Sequence, residues 1–184
     1  MRYSQIRKMD ISNGVGVGVS LFVQGCHFHC KGCFNKETWD FSGGKEWTDE
    51  VEAKFFELVD RPYIQRVSFL GGEPLAPENV QKVMHLMQRI KEKHPEKKIW
   101  LYTGFNWESI IGYEPVAGDT PVKNAWRHCC LVLADVVVDG QFQLEHQDIL
   151  HKEIIWAGST NQRIIDSKKS TKQGKVVEFN GYEL

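Results

Sequence analysis

The sequence predicts an α/β fold built on a parallel sheet, and two features carry that prediction. Short runs rich in apolar and β-branched residues alternate with stretches whose apolar residues recur at helical spacing, the pattern of successive βαβ units. Several strand candidates also end in glycine-bearing turns, as at Gly71-Gly72, Thr103-Gly104 and Asp139-Gly140. In open parallel sheets ligands bind beyond such strand ends. Periodicity alone leaves an open sheet and a partial barrel as alternatives.

The elements follow in order. Val17 to Val23 reads as a strand that runs directly into a cysteine-rich loop. Thr48 to Leu58 reads as a helix: Thr48 suits an N-cap, acidic residues fill the first turn, and Val51, Phe55 and Leu58 share one face. Arg66 to Leu70 is a short strand halted by Gly71-Gly72. Pro77 to Lys93 places Val80, Val83, Met84, Met87 and Ile90 on one helical stripe. Ile99 to Tyr102 is a strand, followed by a weaker helix over Asn106 to Ile111. Leu131 to Val138, apolar and β-branched, reads as a strand covered on both faces. Ile154 to Trp156 completes the strand set. Beyond Asp166 the run Ser167-Lys168-Lys169-Ser170-Thr171-Lys172 predicts a polar linker, ahead of a short strand-like end at Val176 to Phe179.

Composition narrows the function. The 184 residues suit one domain, and 41% hydrophobic with 26% charged residues is ordinary for a globular protein. A net charge of −1 supplies no basic field for nucleic acid or an anionic membrane. No apolar run approaches the roughly 20 residues of a membrane span, and the start of the chain lacks a secretory signal. The expectation is a cytoplasmic protein.

Three of the five cysteines fall within eight residues, Cys26-His27-Phe28-His29-Cys30-Lys31-Gly32-Cys33. In a reducing compartment such a C-x3-C-x2-C cluster signals ligation rather than disulfides. Three thiolates on one tight loop can cap three irons of a [4Fe–4S] cubane and leave the fourth open to a substrate. A structural zinc site is the alternative, and it would need a fourth ligand such as His27, His29 or Cys129.

This spacing, with Phe34 after the last cysteine, resembles the signature of the radical S-adenosylmethionine superfamily. The wider text is similar to the glycyl-radical activating enzymes, in particular those acting on anaerobic ribonucleoside-triphosphate reductases. It includes Gly14-Val15-Gly16, Leu21 to Cys26, Gly32 to Trp39, Gly71 to Leu75, Trp100 to Gly104, Val137 to Gly140 and Gly158 to Gln162, so the resemblance runs over residues 3 to 165. It implies an incomplete (β/α)6 barrel over residues 1–166, with residues 167–184 as an extension. It also implies a [4Fe–4S] cluster on Cys26, Cys30 and Cys33, with S-adenosyl-L-methionine as cofactor. The implied partners are the reductase as protein substrate and an external one-electron donor such as a flavodoxin or ferredoxin, and a homodimer is compatible. One departure stands out: the family usually carries a basic residue where this chain has Gly18.

The remaining site candidates divide between chemistry and architecture. Gly71-Gly72-Glu73-Pro74 is implied to lie against the cofactor's methionine amino group, and Gly32, Cys33 and Phe34 against its adenosyl part. Read physically, the two glycines permit close backbone approach and positive φ, which an ordinary strand-to-helix turn would also use. Thr103 and Asp139 end strands where ligands bind, although a turn threonine equally satisfies backbone groups. Asn161 and Gln162 are weaker candidates. Cys129 and Cys130, Met84 and Met87 read as packing residues. Two rivals remain open: a radical enzyme acting on a small molecule of modified-nucleoside biosynthesis, and a non-catalytic zinc module.

Overall fold

The computed structural model describes residues 1–147 and 156–181. Seven strands form one open mixed sheet in the order β3-β1-β2-β4-β5-β6-β7. Strands β2 (Gly18–Val23), β4 (Arg66–Gly71), β5 (Lys98–Tyr102) and β6 (Val136–Asp139) are mutually parallel and form its centre. Three antiparallel strands flank them: β1 (Arg2–Asp10) and β3 (Lys45–Glu46) on one side, β7 (Arg163–Asp166) on the other. The expected α/β class with a parallel sheet is therefore present as a mixed sheet. It is not closed, and among the described residues four parallel strands stand where a (β/α)6 arrangement has six.

Side-chain alternation divides the sheet into two faces. Val19, Leu21 and Val23, Val67 and Phe69, Ile99 and Leu101, and Val137 all enter one buried core. Helices α1 (Asp49–Val59), α2 (Val80–Lys93), α3 (Trp107–Ile111) and α4 (Pro121–Leu133) supply its other half through residues such as Phe55, Met87, Ile110 and Leu131. Thr48 caps α1 by accepting a hydrogen bond from Val51 N at 3.4 Å, and Met84 and Met87 lie in the core, as the spacing predicts. The opposite face carries Ser20 and Phe22, Ser68 and Leu70, Trp100 and Tyr102, Val136 and Val138. No helix of the described residues is long and apolar enough to cross a membrane.

Three expectations are corrected. Leu131 to Val138 is not one strand: Leu131–Leu133 closes α4, and β6 begins only at Val136. The inward positions of α4 include Asn124 and Arg127 alongside Cys130 and Leu131, so its buried stripe is half polar. Cys129 and Cys130 consequently sit on a helix, one exposed and one buried. The polar run after Asp166 is a helix, α5 (Ser167–Gln173). Asp166 caps it through Lys169 N at 2.9 Å, the Ser167 hydroxyl donates to the Leu131 carbonyl, and Ser170 Oγ accepts from Val177 N at 2.9 Å. Two buried serines there replace the apolar anchors that a helix of this length ordinarily displays. The strand β1, polar and partly exposed, carries no strong strand signal. Of the strand expected over Ile154 to Trp156 only Trp156 falls within the described residues, and it lies in a bend at φ 73°.

The non-helical face is organised by Arg66, which is fully buried. Its guanidinium donates to the carbonyls of Asn13 at 2.6 Å, Val15 at 3.2 Å and Asp10 at 2.5 Å, and to Ser68 Oγ at 2.6 Å. It thereby fixes the loop between β1 and β2 against the sheet. A Cβ on Gly18 would lie 2.8 Å from the Arg66 guanidinium carbon, so Gly18 makes room for a basic group delivered from the neighbouring strand. The Arg66→Met variant leaves Asp10 buried without its guanidinium partner and removes the side-chain donor to the carbonyls of Asp10, Val15 and Gly16. It should cost about 3–5 kcal/mol, measurable as a fall in the urea unfolding midpoint.

Candidate functional site

A cleft of about 420 Å³ opens on the non-helical face at the carboxyl ends of the parallel strands. Phe22, Leu70 and Tyr102 form its floor from three adjacent strands, Ser12 and Asn13 one wall, and Gly140 to Phe142 with Trp156 to Gly158 the other. Cys26, Cys30, Cys33 and Phe34 stand at its mouth together with Gly71, Gly72, Glu73, Thr103 and Gly104. Most of the candidates drawn from the sequence thus converge on one place. Gly32 and Pro74 do not line it, and Asp139 lies buried behind the wall.

The cysteine loop is held by its main chain. Gly25 N donates to Thr38 O at 2.7 Å, Cys26 N to Trp39 O at 3.0 Å, and Cys33 N to Cys30 O at 3.1 Å. Gln24, buried beneath, donates to the carbonyls of Glu37 and Asp40. All three cysteines are free and partly exposed, and Asn35 N approaches Cys33 Sγ at 3.4 Å. Burial, and secondarily the Glu73 carboxylate, pushes the Cys26 thiol up to about 12. Burial and the neighbouring Cys33 push Cys30 up as well. Ligation by thiolate therefore releases protons here and is driven by a positively charged metal group.

The donor set suits an iron–sulfur cluster. Three soft thiols face one solvent-reached cleft, while the side chains that could complete a zinc site are engaged elsewhere. His27 Nε2 lies 3.0 Å from Glu78, His29 stacks on Trp39 at 4.7 Å, and Cys129 is exposed on α4. Among the described residues no three His, Cys, Asp or Glu side chains converge on a position for a single ion.

Gly71 and Gly72 have a structural task that the sequence did not disclose. A Cβ on Gly72 would fall 2.5 Å from the Gly25 carbonyl oxygen, and one on Gly71 would fall 2.8 Å from Phe22 Cα with φ at +100°. The close approach is therefore to the strand that feeds the cysteine loop. It allows Gly72 N to donate to Val23 O at 2.9 Å and Glu73 N to Gly25 O at 2.8 Å.

Glu73 is the electrostatic centre of the mouth. Its carboxylate accepts from Leu75 N, Thr103 Oγ1 and Gly104 N, each at 2.8 Å. Burial nevertheless raises it to about 7, against these hydrogen bonds and the Arg127 charge, which pull it down. Thr103 thus serves as a clamp on Glu73, and it also accepts from Phe105 N at 3.1 Å. Asp139 accepts from Trp107 N at 2.8 Å and from both Nε and Nη2 of Arg163, joining β6, β7 and α3. Asn161 and Gln162 brace the far wall through the carbonyls of Gln141 and Gly140. Phe142 and Arg7 escaped the sequence reading. Phe142 packs against exposed Phe34 at 5.1 Å, and Arg7 lies over the Phe22 ring at 4.4 Å; only the position of Phe142 just past a strand end could have marked it.

Comparison with known proteins agrees with this geometry. The family model described as a 4Fe-4S single cluster domain matches residues 12–165. The anaerobic ribonucleoside-triphosphate reductase-activating protein of Salmonella typhi is 39% identical over 164 residues, covering 88% of this chain and 96% of that one. Proteins of the same name from Escherichia coli (strain K12) and Enterobacteria phage T4 are 36% and 34% identical, with 88% and 89% of this chain and 96% and 93% of theirs covered.

Two outcomes follow from the mouth. Thr103→Val removes a donor to the charged form of Glu73, so the carboxyl should titrate above about 7 in a ¹³C NMR titration of the metal-free protein. Because the folded value already exceeds the unfolded one, this group's contribution to stability falls as pH rises from about 4.5 to 7. The variant should extend that fall to higher pH, so its deficit in urea unfolding is larger at pH 8 than at pH 5.5. Gly72→Ala should disturb the cysteine loop itself, seen as reduced iron uptake on reconstitution.

Proposed function

Since the chain belongs to the 4Fe-4S single-cluster family that includes the anaerobic ribonucleoside-triphosphate reductase-activating proteins, we propose that it is a cytoplasmic radical S-adenosylmethionine enzyme that installs a glycyl radical on such a reductase. The supporting observation is the convergence of three free thiols, the Gly71-Gly72-Glu73 turn and an open cleft at the ends of parallel strands. Cys26, Cys30 and Cys33 would hold the [4Fe–4S] cluster, which when reduced would supply the electron for cleavage of S-adenosylmethionine to methionine and a 5′-deoxyadenosyl radical able to take a hydrogen atom from a glycine Cα of the reductase.

The chain's own residues position and shield. Gly71 and Gly72 let the turn close onto Phe22 and Gly25, and so hold their main chain at the mouth beside the cysteine loop, where a ligand's amino-acid end can meet it. Glu73, fixed by Thr103 and Gly104, sets a negative field beside that end and suits its ammonium group. Cys33, Phe34 and Phe142 offer an edge and two ring faces for an adenine. Gly32 and Pro74 shape the turns that present these groups, and Asp139 holds the wall by tying α3 to β7. The open sheet is a shortened relative of the incomplete (β/α)6 barrel, and its exposed mouth admits a protein substrate. An external donor such as a flavodoxin or ferredoxin supplies the electron.

The test is anaerobic reconstitution with iron and sulfide, reduction, and assay of 5′-deoxyadenosine with and without the reductase. A glycyl-radical EPR doublet on the reductase together with 5′-deoxyadenosine supports the proposal. Cleavage without the doublet moves the substrate to a small molecule, and a colourless protein retaining zinc defeats the reading. Cys30→Ala should fold normally by circular dichroism, fail to acquire the brown chromophore, and produce no 5′-deoxyadenosine.

A further inference from the structure

Helix α4 carries apolar residues on the side that faces water. Asn124 and Arg127 turn inward with Cys130 and Leu131, whereas Val122, Ala125, Cys129 and Val132 stand outside. At the helical period these four share one stripe, and Val122 and Val132 are 56% and 52% exposed. The basic side chains of the helix are engaged elsewhere. Lys123 donates to the Gly118 carbonyl, Arg127 is buried against Leu75 and Asp119, and His128 Nε2 lies 2.9 Å from the Ile110 carbonyl. Asn124 Nδ2 donates to that same carbonyl at 3.3 Å, which brings Ile111, itself 52% exposed, beside the helix. Apolar side chains exposed singly are ordinary, but an uncharged line of them marks an interaction surface.

The order of residues along the stripe identifies its occupant. Read in either direction it runs large, small, small, large: Val122, Ala125, Cys129, Val132. A twofold interface uses such an order, because residue i of one copy meets j of the other while j meets i. Two copies of α4 lying antiparallel set Val122 against Val132 and Ala125 against Cys129, and the small central pair lets the helices approach closely. Charge agrees with this arrangement. Glu114, exposed and without a side-chain partner among the described residues, stands in the loop ahead of α4. At the other end Lys168 and Lys172 are exposed on α5, and Lys168 Nζ donates to the Val132 carbonyl. An antiparallel copy carries the Glu114 of each chain toward the α5 lysines of the other. It also sets the positive end of each helix beside the negative end of its partner, where α4 has no acidic residue in its first turn and no basic one in its last. A parallel copy would oppose like ends.

We propose that the outer face of α4 is covered by a second copy of this chain, paired antiparallel across a twofold axis to form a homodimer. The helices lie on the face of the sheet opposite the cleft, so both clefts of the dimer open outward and each takes its own ligands.

Anaerobic sedimentation of the reconstituted full-length protein tests this. The unaltered protein should sediment at twice the mass of the single chain across the micromolar range. Val122→Glu and Val132→Lys should each weaken the dimer by about tenfold or more, because each sets a charge against an apolar partner. Mixed in equal amounts, the two variants should dimerise again. The introduced carboxylate then faces the introduced ammonium, and the unchanged Val132 of the first faces the unchanged Val122 of the second. Circular dichroism matching the unaltered protein shows that both variants fold, as expected for positions half exposed. A monomeric unaltered protein overturns the proposal, as does a dimer that Val122→Glu leaves intact. Folded variants that stay monomeric when mixed overturn it too, because the antiparallel register is then wrong. A monomer whose binding to the reductase is lost on Val122→Glu overturns it in favour of the reductase as the covering partner. The readout is mass, so it stands whether or not the protein cleaves S-adenosylmethionine.

Discussion

A carboxylate withdrawn from water must be answered by donors, and the donors of Glu73 come from two different parts of the chain. Its acid group draws in the start of the turn toward α2 through Leu75 N and the end of β5 through Thr103 and Gly104. Its main chain extends the same junction: Glu73 N reaches Gly25 ahead of the first cysteine, and its carbonyl accepts from Asn79 Nδ2 at 3.0 Å. The ends of β2, β4 and β5 are thus joined at one residue. Arg127 stands behind it with its guanidinium carbon 4.6 Å from the Phe105 ring centroid, held by the Asp119 carboxylate at 2.6 Å and by the Leu75 carbonyl. The cysteine loop keeps its position because the turn beside it is held by charge as well as by packing.

The rest of the architecture follows from giving the two faces of the sheet different work. One face is continuously apolar and takes the helices. The other combines Arg66, the serines and the tyrosine with a few large apolar rings, and loops and tail cover it where the cleft does not. Trp100 packs against Trp156 and Phe179 at ring separations of 5.3 and 5.4 Å, so the far end of this face is closed by the segment that follows β6. Phe179 is brought there by its N–H bond to the Ile164 carbonyl at 2.8 Å. The polar end is closed by the Arg66 clasp, and the cleft is what remains between the two.

Much of this was legible in the sequence where local pattern and tertiary role agree. The central strands β2, β4 and β5, with α1 and α2, read directly from apolar runs, caps and stripes, and the cysteine spacing marked the mouth, whereas the run read for β6 also took in the end of α4. The pattern failed where burial was achieved with polar residues: Asn124 and Arg127 hid α4, and Ser167 and Ser170 hid α5. It also failed to distinguish purposes. The two glycines promised a close approach, and the backbone they approach is that of Phe22 and Gly25. Thr103 and Asp139 stood at the right strand ends, yet their hydrogen bonds run to Glu73, Trp107 and Arg163. Nothing local in Tyr102 or Phe142 reveals that three strands and a returning loop bring them to the same cleft.

The antiparallel flanks have a consequence of their own. With four parallel strands between reversed edges the sheet stays open, and among the described residues the cleft at its strand ends is open to solvent. A highly reactive intermediate generated in such a trough is quenched by whatever reaches it first. On the proposed reading the docked partner is therefore both reactant and lid, and the protection that a longer barrel builds from its own chain is here lent by the macromolecule to be modified. Productive turnover would then be gated by docking itself, which makes surface complementarity a determinant of yield as much as of affinity.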